Sequence, residues 1–193
     1  YLYMGAEGVK KQAQDKLANL DPTDPKQVEG IPFWRATIIA MDGAITYGNR
    51  FAAEAERQAA ECTDPVRKAE LEKMAEIAYK VPAYPADTFQ EAVQSQWFTQ
   101  MFSRIEQKTG TTVSNGRMDQ YFYPYYKKDM EAGVITEESA MELLECMFVG
   151  MAEFIDMFIS PQGGAFNEGY SHWEAVTVGG QTRDGVDATN ELS

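Results

Sequence analysis

The residues that most often do chemistry are sparse in this 193-residue chain. His172-Trp173-Glu174 has the His-x-Glu spacing of half a zinc deaminase site, but no Pro-Cys-x-x-Cys follows it. His172 is the sole histidine, which argues against a histidine-rich metal centre. A carboxylate-bridged di-iron bundle needs Glu-x-x-His twice, and that spacing is absent. Gly179-Gly180-Gln181-Thr182 has the composition of a phosphate loop, yet neither Gly-x-x-x-x-Gly-Lys nor Gly-x-Gly-x-x-Gly occurs. Cys62 ends a charged helical stretch and Cys146 lies in an apolar one, so one exposed and one packed thiol are expected, neither a nucleophile.

Three constellations remain. Gly116-Arg117-Met118-Asp119-Gln120 leads into the aromatic run Tyr121-Phe122-Tyr123-Pro124-Tyr125-Tyr126. Its ordinary reading is a helix-start ion pair followed by packing. Thr111-Thr112-Val113-Ser114 sets hydroxyls in a row after a glycine, which a plain surface loop also does. Phe166 to Gly180 places aromatics between glycine turns and feeds a strand, which ordinary strand packing also explains.

Composition narrows the classes of partner. The net charge of −13 disfavours nucleic acid and anionic membrane surfaces. A hydrophobic share of 44% is enough for a packed core and excludes bulk disorder. No apolar run approaches ~18 residues, so no membrane-spanning helix is expected. Two cysteines cannot build a disulfide framework, which favours a reducing compartment. Both ends, Tyr1-Leu2-Tyr3-Met4 and Asp187 to Ser193, read as cuts through a longer chain.

The elements that must position these residues are mostly helical. Apolar spacing predicts helices over 6–20, 65–80 and 88–107. It also predicts a long helix from about Pro32, taken as a first-turn proline, to Cys62. Asp21-Pro22-Thr23-Asp24-Pro25 and Thr63-Asp64-Pro65 punctuate them. Residues 108–116 read as a loop or irregular strand. A helix over 119–130, interrupted by Pro124, is closed by Gly133. The stretch 137–159 is apolar nearly all round its centre, as in a helix buried on several sides. Glu174 to Gly180 is a short β-branched strand.

Taken in order, the motifs carry a resemblance. Asn49-Arg50-Phe51-Ala52, Thr63 to Leu71, Glu91-Ala-Val-Gln94 and Thr111-Thr-Val-Ser-Asn-Gly-Arg-Met-Asp-Gln120 come first. Tyr123 to Gly133, Ile135-Thr-Glu-Glu138, Leu143-Leu-Glu145, Gly179-Gly-Gln181 and Asp187-Ala-Thr-Asn190 follow. The set resembles the pyruvate formate-lyase-like glycyl radical enzymes over nearly the whole chain. Within them it is most similar to the arylacetate (4-hydroxyphenylacetate-type) decarboxylase large subunits. That rests on Gln107 to Gly116, Phe154-Ile-Asp-Met157 and Gly163 to Trp173.

The resemblance implies a mainly α segment, 1–193, of a ten-stranded α/β barrel surrounded by helices. This is an N-terminal to central part of the domain, without the radical cysteine and glycine loops, so no catalytic residue is assigned and the segment alone is expected to be inactive. It implies Thr111 and Thr112 in the substrate cavity, Trp173 on its wall and Phe166 at its edge; His172 is taken as structural. No cofactor is expected to bind these residues directly. A radical S-adenosylmethionine activase would install the glycyl radical elsewhere in the chain. A homo-oligomer is also implied, and an iron–sulfur small subunit would accompany a decarboxylase. The implied reaction is thiyl-driven decarboxylation of an arylacetate to a methylarene. The alternatives are another glycyl radical chemistry (diol dehydration, C–N or C–S cleavage) and a non-catalytic helical scaffold.

Overall fold

The computed structural model describes residues 2–107, 113–152 and 175–193. The chain divides into two compact units, 1–86 and 87–193.

The first unit is three helices: α1 (Gly5–Ala18), α2 (Pro25–Glu61) and α3 (Pro65–Lys80). Both α1 and α3 pack on α2. The long helix begins at Pro25, not at Pro32. Asp24 caps it by accepting the Lys26 N–H at 3.0 Å, and Pro25 fills the first turn, where a missing N–H costs nothing. Pro32 therefore sits inside the helix. Asp64 does the same for α3, accepting the Val66 N–H at 2.9 Å ahead of Pro65. On α3 the buried residues are Leu71, Ala75, Ile77 and Ala78, whereas Met74 is exposed. Gly48 lets the two helices close: a Cβ there would stand 2.6 Å from Pro82 Cδ. The start of α1 is stitched to the chain after α3, with Ala6 N–H donating to Pro82 O at 2.8 Å and Glu7 N–H to Ala83 O at 2.9 Å.

The second unit holds α4 (Phe89–Gln107), β1 (Gly116–Arg117), α5 (Met118–Glu131), α6 (Glu137–Ala152) and β2 (Val176–Thr177). A capping box opens α4: Thr88 Oγ1 accepts the Glu91 N–H at 3.2 Å, and Glu91 Oε2 accepts the Thr88 N–H at 3.2 Å and the Asp87 N–H at 2.7 Å. The core gathers where α4 meets α5. Phe89, fully buried, meets the Phe122 ring edge-on at 6.0 Å and the Tyr126 ring at 5.7 Å. Phe98 and Met101 are buried further along α4, whereas Ile105 is exposed. Pro124 does not interrupt α5, which runs through it.

Two expectations about α6 are corrected. It packs on α4 through Ala140, Met147 and Met151, whereas Met141, Phe148 and Val149 are exposed, so among the described residues it is covered on one side. Cys146 is exposed rather than packed, and Cys62 is half-buried. A helix with apolar residues all round is not thereby surrounded; that depends on what else packs on it. The expected extension to 159 lies outside the described residues.

Among the described residues the one sheet is the parallel pair β1–β2, with Gly116 opposite Val176 and Arg117 opposite Thr177. A parallel pair needs a long crossover, and here α5 and α6 lie within it. That is the α/β arrangement of a barrel segment, supplied here with few strands and many helices. No described helix is long and apolar enough to cross a membrane.

Candidate active site

The four residues expected in the cavity, Thr111, Thr112, Phe166 and Trp173, lie outside the described residues, as does His172. The chain that follows Thr112 and the chain that follows Trp173 are described, and they run side by side. Asn115 N–H donates to Ala175 O at 3.1 Å, and the β1–β2 register continues that contact.

A polar face of α4 grips the first of these segments. Gln96 Nε2 donates to Asn115 Oδ1 at 2.5 Å, and Gln100 Nε2 donates to Val113 O at 2.8 Å. Positions 96, 100 and 104 recur every four residues and so share one face of the helix, which puts half-buried Arg104 in line with them. The buried Asn115 also donates from Nδ2 to Met151 Sδ at 3.5 Å, and its carbonyl accepts the Tyr121 hydroxyl at 3.1 Å. Burial pushes the Tyr121 phenol above its ordinary pKa. It stays a neutral hydrogen-bond donor.

The second segment is held by the start of α5. Arg117 donates from Nη2 to Gly179 O at 2.7 Å and from Nη1 to Gln181 O at 3.0 Å. Asp119, 2% exposed, accepts on Oδ2 the Gly179 N–H and the Ser193 hydroxyl, each at 2.6 Å. Gln120 Nε2 donates to Ala188 O at 2.7 Å, and Asn190 Nδ2 to Asp119 O at 3.2 Å. Burial pushes the Asp119 carboxyl up, but the bonds from Ser193, Gly179 and Gln120 outweigh it, and its pKa lies below the ordinary value. Gly179 and Gly180 both take left-handed backbone, φ +64° and +83°, which turns the chain sharply enough to present both the N–H and the carbonyl of Gly179 to α5.

The expected helix-start ion pair between Arg117 and Asp119 is thus replaced by two separate grips on the same distant turn. The sequence showed both residues but not their partners, which lie some sixty residues away. Gln96 and Gln100 were missed outright, although their four-residue spacing on a helix rich in aromatics was a visible signal.

One open depression of about 660 Å³ is lined by Gln120, Tyr123, Asp187, Ala188, Thr189, Asn190 and Glu191. Its carboxylates repel an anionic ligand, so it is a poor seat for one.

A family model described as pyruvate formate lyase-like matches residues 1–193. The chain is 65% identical, over its whole length, to the isethionate sulfite-lyase of Bilophila wadsworthia (strain 3_1_6), of which it covers 23%. It is 34% identical to the indoleacetate decarboxylase of Tractidigestivibacter scatoligenes, over 97% of this chain and 21% of that protein. A structure concerned with 1,2-propanediol dehydration in Roseburia inulinivorans superposes with a TM-score of 0.90 at 39% identity, over 99% of this chain and 23% of that one. A glycyl radical enzyme from Archaeoglobus fulgidus superposes with a TM-score of 0.87 at 34% identity, over 98% of this chain and 24% of that one. The chain therefore spans about a quarter of the length of these relatives. The nearer similarity to a decarboxylase, read from the motifs, gives way to a stronger one to a sulfite-lyase. With its family model matched from end to end and its fold shared with a glycyl radical enzyme, the chain belongs to the pyruvate formate lyase-like glycyl radical enzymes.

Proposed function

We propose that this chain is part of a glycyl radical lyase that cleaves the C–S bond of a small hydroxyalkanesulfonate, with isethionate as its first candidate substrate. One observation carries the reading: 65% identity to an isethionate sulfite-lyase along the whole chain, against 34% to an indoleacetate decarboxylase. The thiyl and glycyl radical sites belong to the remainder of the polypeptide, and a separate radical S-adenosylmethionine activase is its partner. An anoxic cytoplasm suits that chemistry.

A sulfonate is a permanent anion, so its site needs a cation, the more so in a chain whose net charge of −13 repels it. Arg104 is the residue of choice here. It is half-buried, shares a face of α4 with Gln96 and Gln100, and immediately precedes the segment that carries Thr111 and Thr112. Arg117 lies further along the chain, in β1, with its guanidinium on the carbonyls of Gly179 and Gln181. A guanidinium matches the oxygens of a sulfonate with paired N–H groups, which an ammonium does not. By the family resemblance, the hydroxyls of Thr111 and Thr112 would meet the substrate's hydroxyl, and the aromatic side chains of Phe166 and Trp173 would exclude water from the reacting radical.

The test is turnover of the full-length, activated protein without oxygen. Isethionate should yield sulfite and acetaldehyde, in which its carbon, oxygen and sulfur balance without another reactant. If no sulfite forms and indoleacetate or another arylacetate loses CO2, the decarboxylase reading replaces this one.

A further inference from the structure

The grip of α5 on the turn after β2 has no evident purpose if this turn is only a connection. A surface turn needs no buried carboxylate and no two-carbonyl arginine clamp. Both are aimed at Gly179, two residues after the strand that pairs with β1. Arg117 itself is a β1 residue, opposite Thr177, and Asp119 follows it by two. The same short stretch therefore pairs with β2 through its backbone and locks the end of β2 through its side chains. In a sheet the side-chain period is two, so a slip by one residue turns every side chain to the other face. Among the described residues the β1–β2 pairing is short, extended at its start by the Asn115 N–H to Ala175 O bond, and the Arg117 and Asp119 side chains add bonds that fix its register at the other end.

We propose that Arg117 and Asp119 are positioning residues for substrate binding: clamping both polar groups of Gly179 fixes the register of β2 on β1, and with it the substrate-facing starts of the two strands. This rests on the reading that the substrate sits where these strands begin, beside Arg104 and Gln100. Arg117 and Asp119 touch the turn and not the substrate. The clamp is charge-assisted on both sides, a guanidinium on the carbonyl and a carboxylate on the N–H, so it holds more tightly than neutral bonds would.

The experiment uses the full-length, unactivated protein, so that binding is read apart from radical chemistry. Isethionate is titrated calorimetrically into wild type, Asp119→Asn, Arg117→Lys and Ser193→Ala, with amide exchange followed over 175–181. Asp119→Asn keeps shape but loses the charge, and should weaken the Kd about tenfold at an unchanged number of sites, with faster exchange over 175–181. Arg117→Lys, which can reach one carbonyl well but not two, should act in the same direction. Ser193→Ala removes one of the donors to Asp119 and should weaken the Kd about threefold. It keeps the test open if Asp119→Asn does not fold. A clamp that only stabilises the fold would reduce the number of sites and leave the Kd alone. That result overturns the proposal, as does a weaker Kd with no change in exchange over 175–181. If wild type ignores isethionate but binds indoleacetate or 1,2-propanediol, the sulfonate reading fails, and the same comparison of Kd and exchange with that ligand decides the clamp. A wild type that binds none of the three overturns both.

Discussion

Asp129 Oδ2 accepts the backbone N–H of Phe89 at 2.7 Å, across forty residues, so the carboxylate of α5 completes the first turn of α4. Phe89 is fully buried and Asp129 is 3% exposed, leaving no water to replace the bond. Lys128 adds a bond from Nζ to Asp87 O at 2.9 Å on the same junction. Asp129→Ala should lower unfolding stability by about 1–3 kcal/mol, the cost of a buried donor left without an acceptor. Asp129→Asn, which keeps an oxygen there, should cost less. Urea unfolding of the two variants checks the order, and equal losses would show that the bond is not what matters.

Asp119 makes acid stability depend on the turn it holds. Its pKa lies below the ordinary 3.8, so the folded state favours the carboxylate. The stabilisation is present above the unfolded value and disappears as pH falls through the lower, folded one. The gap between wild type and Asp119→Asn should therefore be widest near neutrality and shrink from about pH 4 downwards. Thermal unfolding at stepped pH measures it. A gap of constant size would mean that the carboxylate charge contributes nothing.

Two glycines of α2 should respond in opposite ways in this 193-residue chain. A Cβ at Gly48 would meet Pro82 Cδ at 2.6 Å and Ala78 O at 3.2 Å, whereas one at Gly43 would meet nothing within 4 Å. Gly48→Ala should destabilise by about 1–3 kcal/mol through overpacking. Gly43→Ala should stabilise by about 0.5–1 kcal/mol, because alanine loses less backbone freedom in a helix. Denaturant midpoints of the two single variants decide it.

Arg104 carries the sulfonate prediction. In the unactivated full-length protein, Arg104→Lys should weaken isethionate binding about tenfold by losing the paired donors, and Arg104→Met about a hundredfold by also losing the charge. Titration reads both. Unchanged affinity in Arg104→Met would remove this residue from the site while leaving the reaction assignment to the turnover assay.

Local signals sufficed for much of the fold. Asp64 before Pro65 starts α3 where the sequence placed it, because the cap and the proline act within one turn of their own position. The family was legible for a related reason: its motifs recur in a fixed order along the chain, and order is a property of sequence. Where two local signals competed, the sequence pointed to Pro32 and made Asp21 to Pro25 a break; the structure instead starts the helix at Pro25, because the Asp24 side chain satisfies the Lys26 N–H. The remaining features are non-local. Arg117 and Asp119 looked like an ion pair because they are neighbours, yet their partners at Gly179, Gln181 and Ser193 come from the chain after β2, which the parallel β1–β2 pairing helps bring near. Cys146 looked packed because its neighbours in sequence are apolar, but exposure is set by what other elements cover, and among the described residues α6 is covered on the side of Ala140, Met147 and Met151. Spacing placed Gln96, Gln100 and Arg104 on one face of α4. Only the tertiary fold decided that the first two of them hold the segment leading into β1. A hydrogen bond is made by proximity in space, and the chain between its ends does not record it.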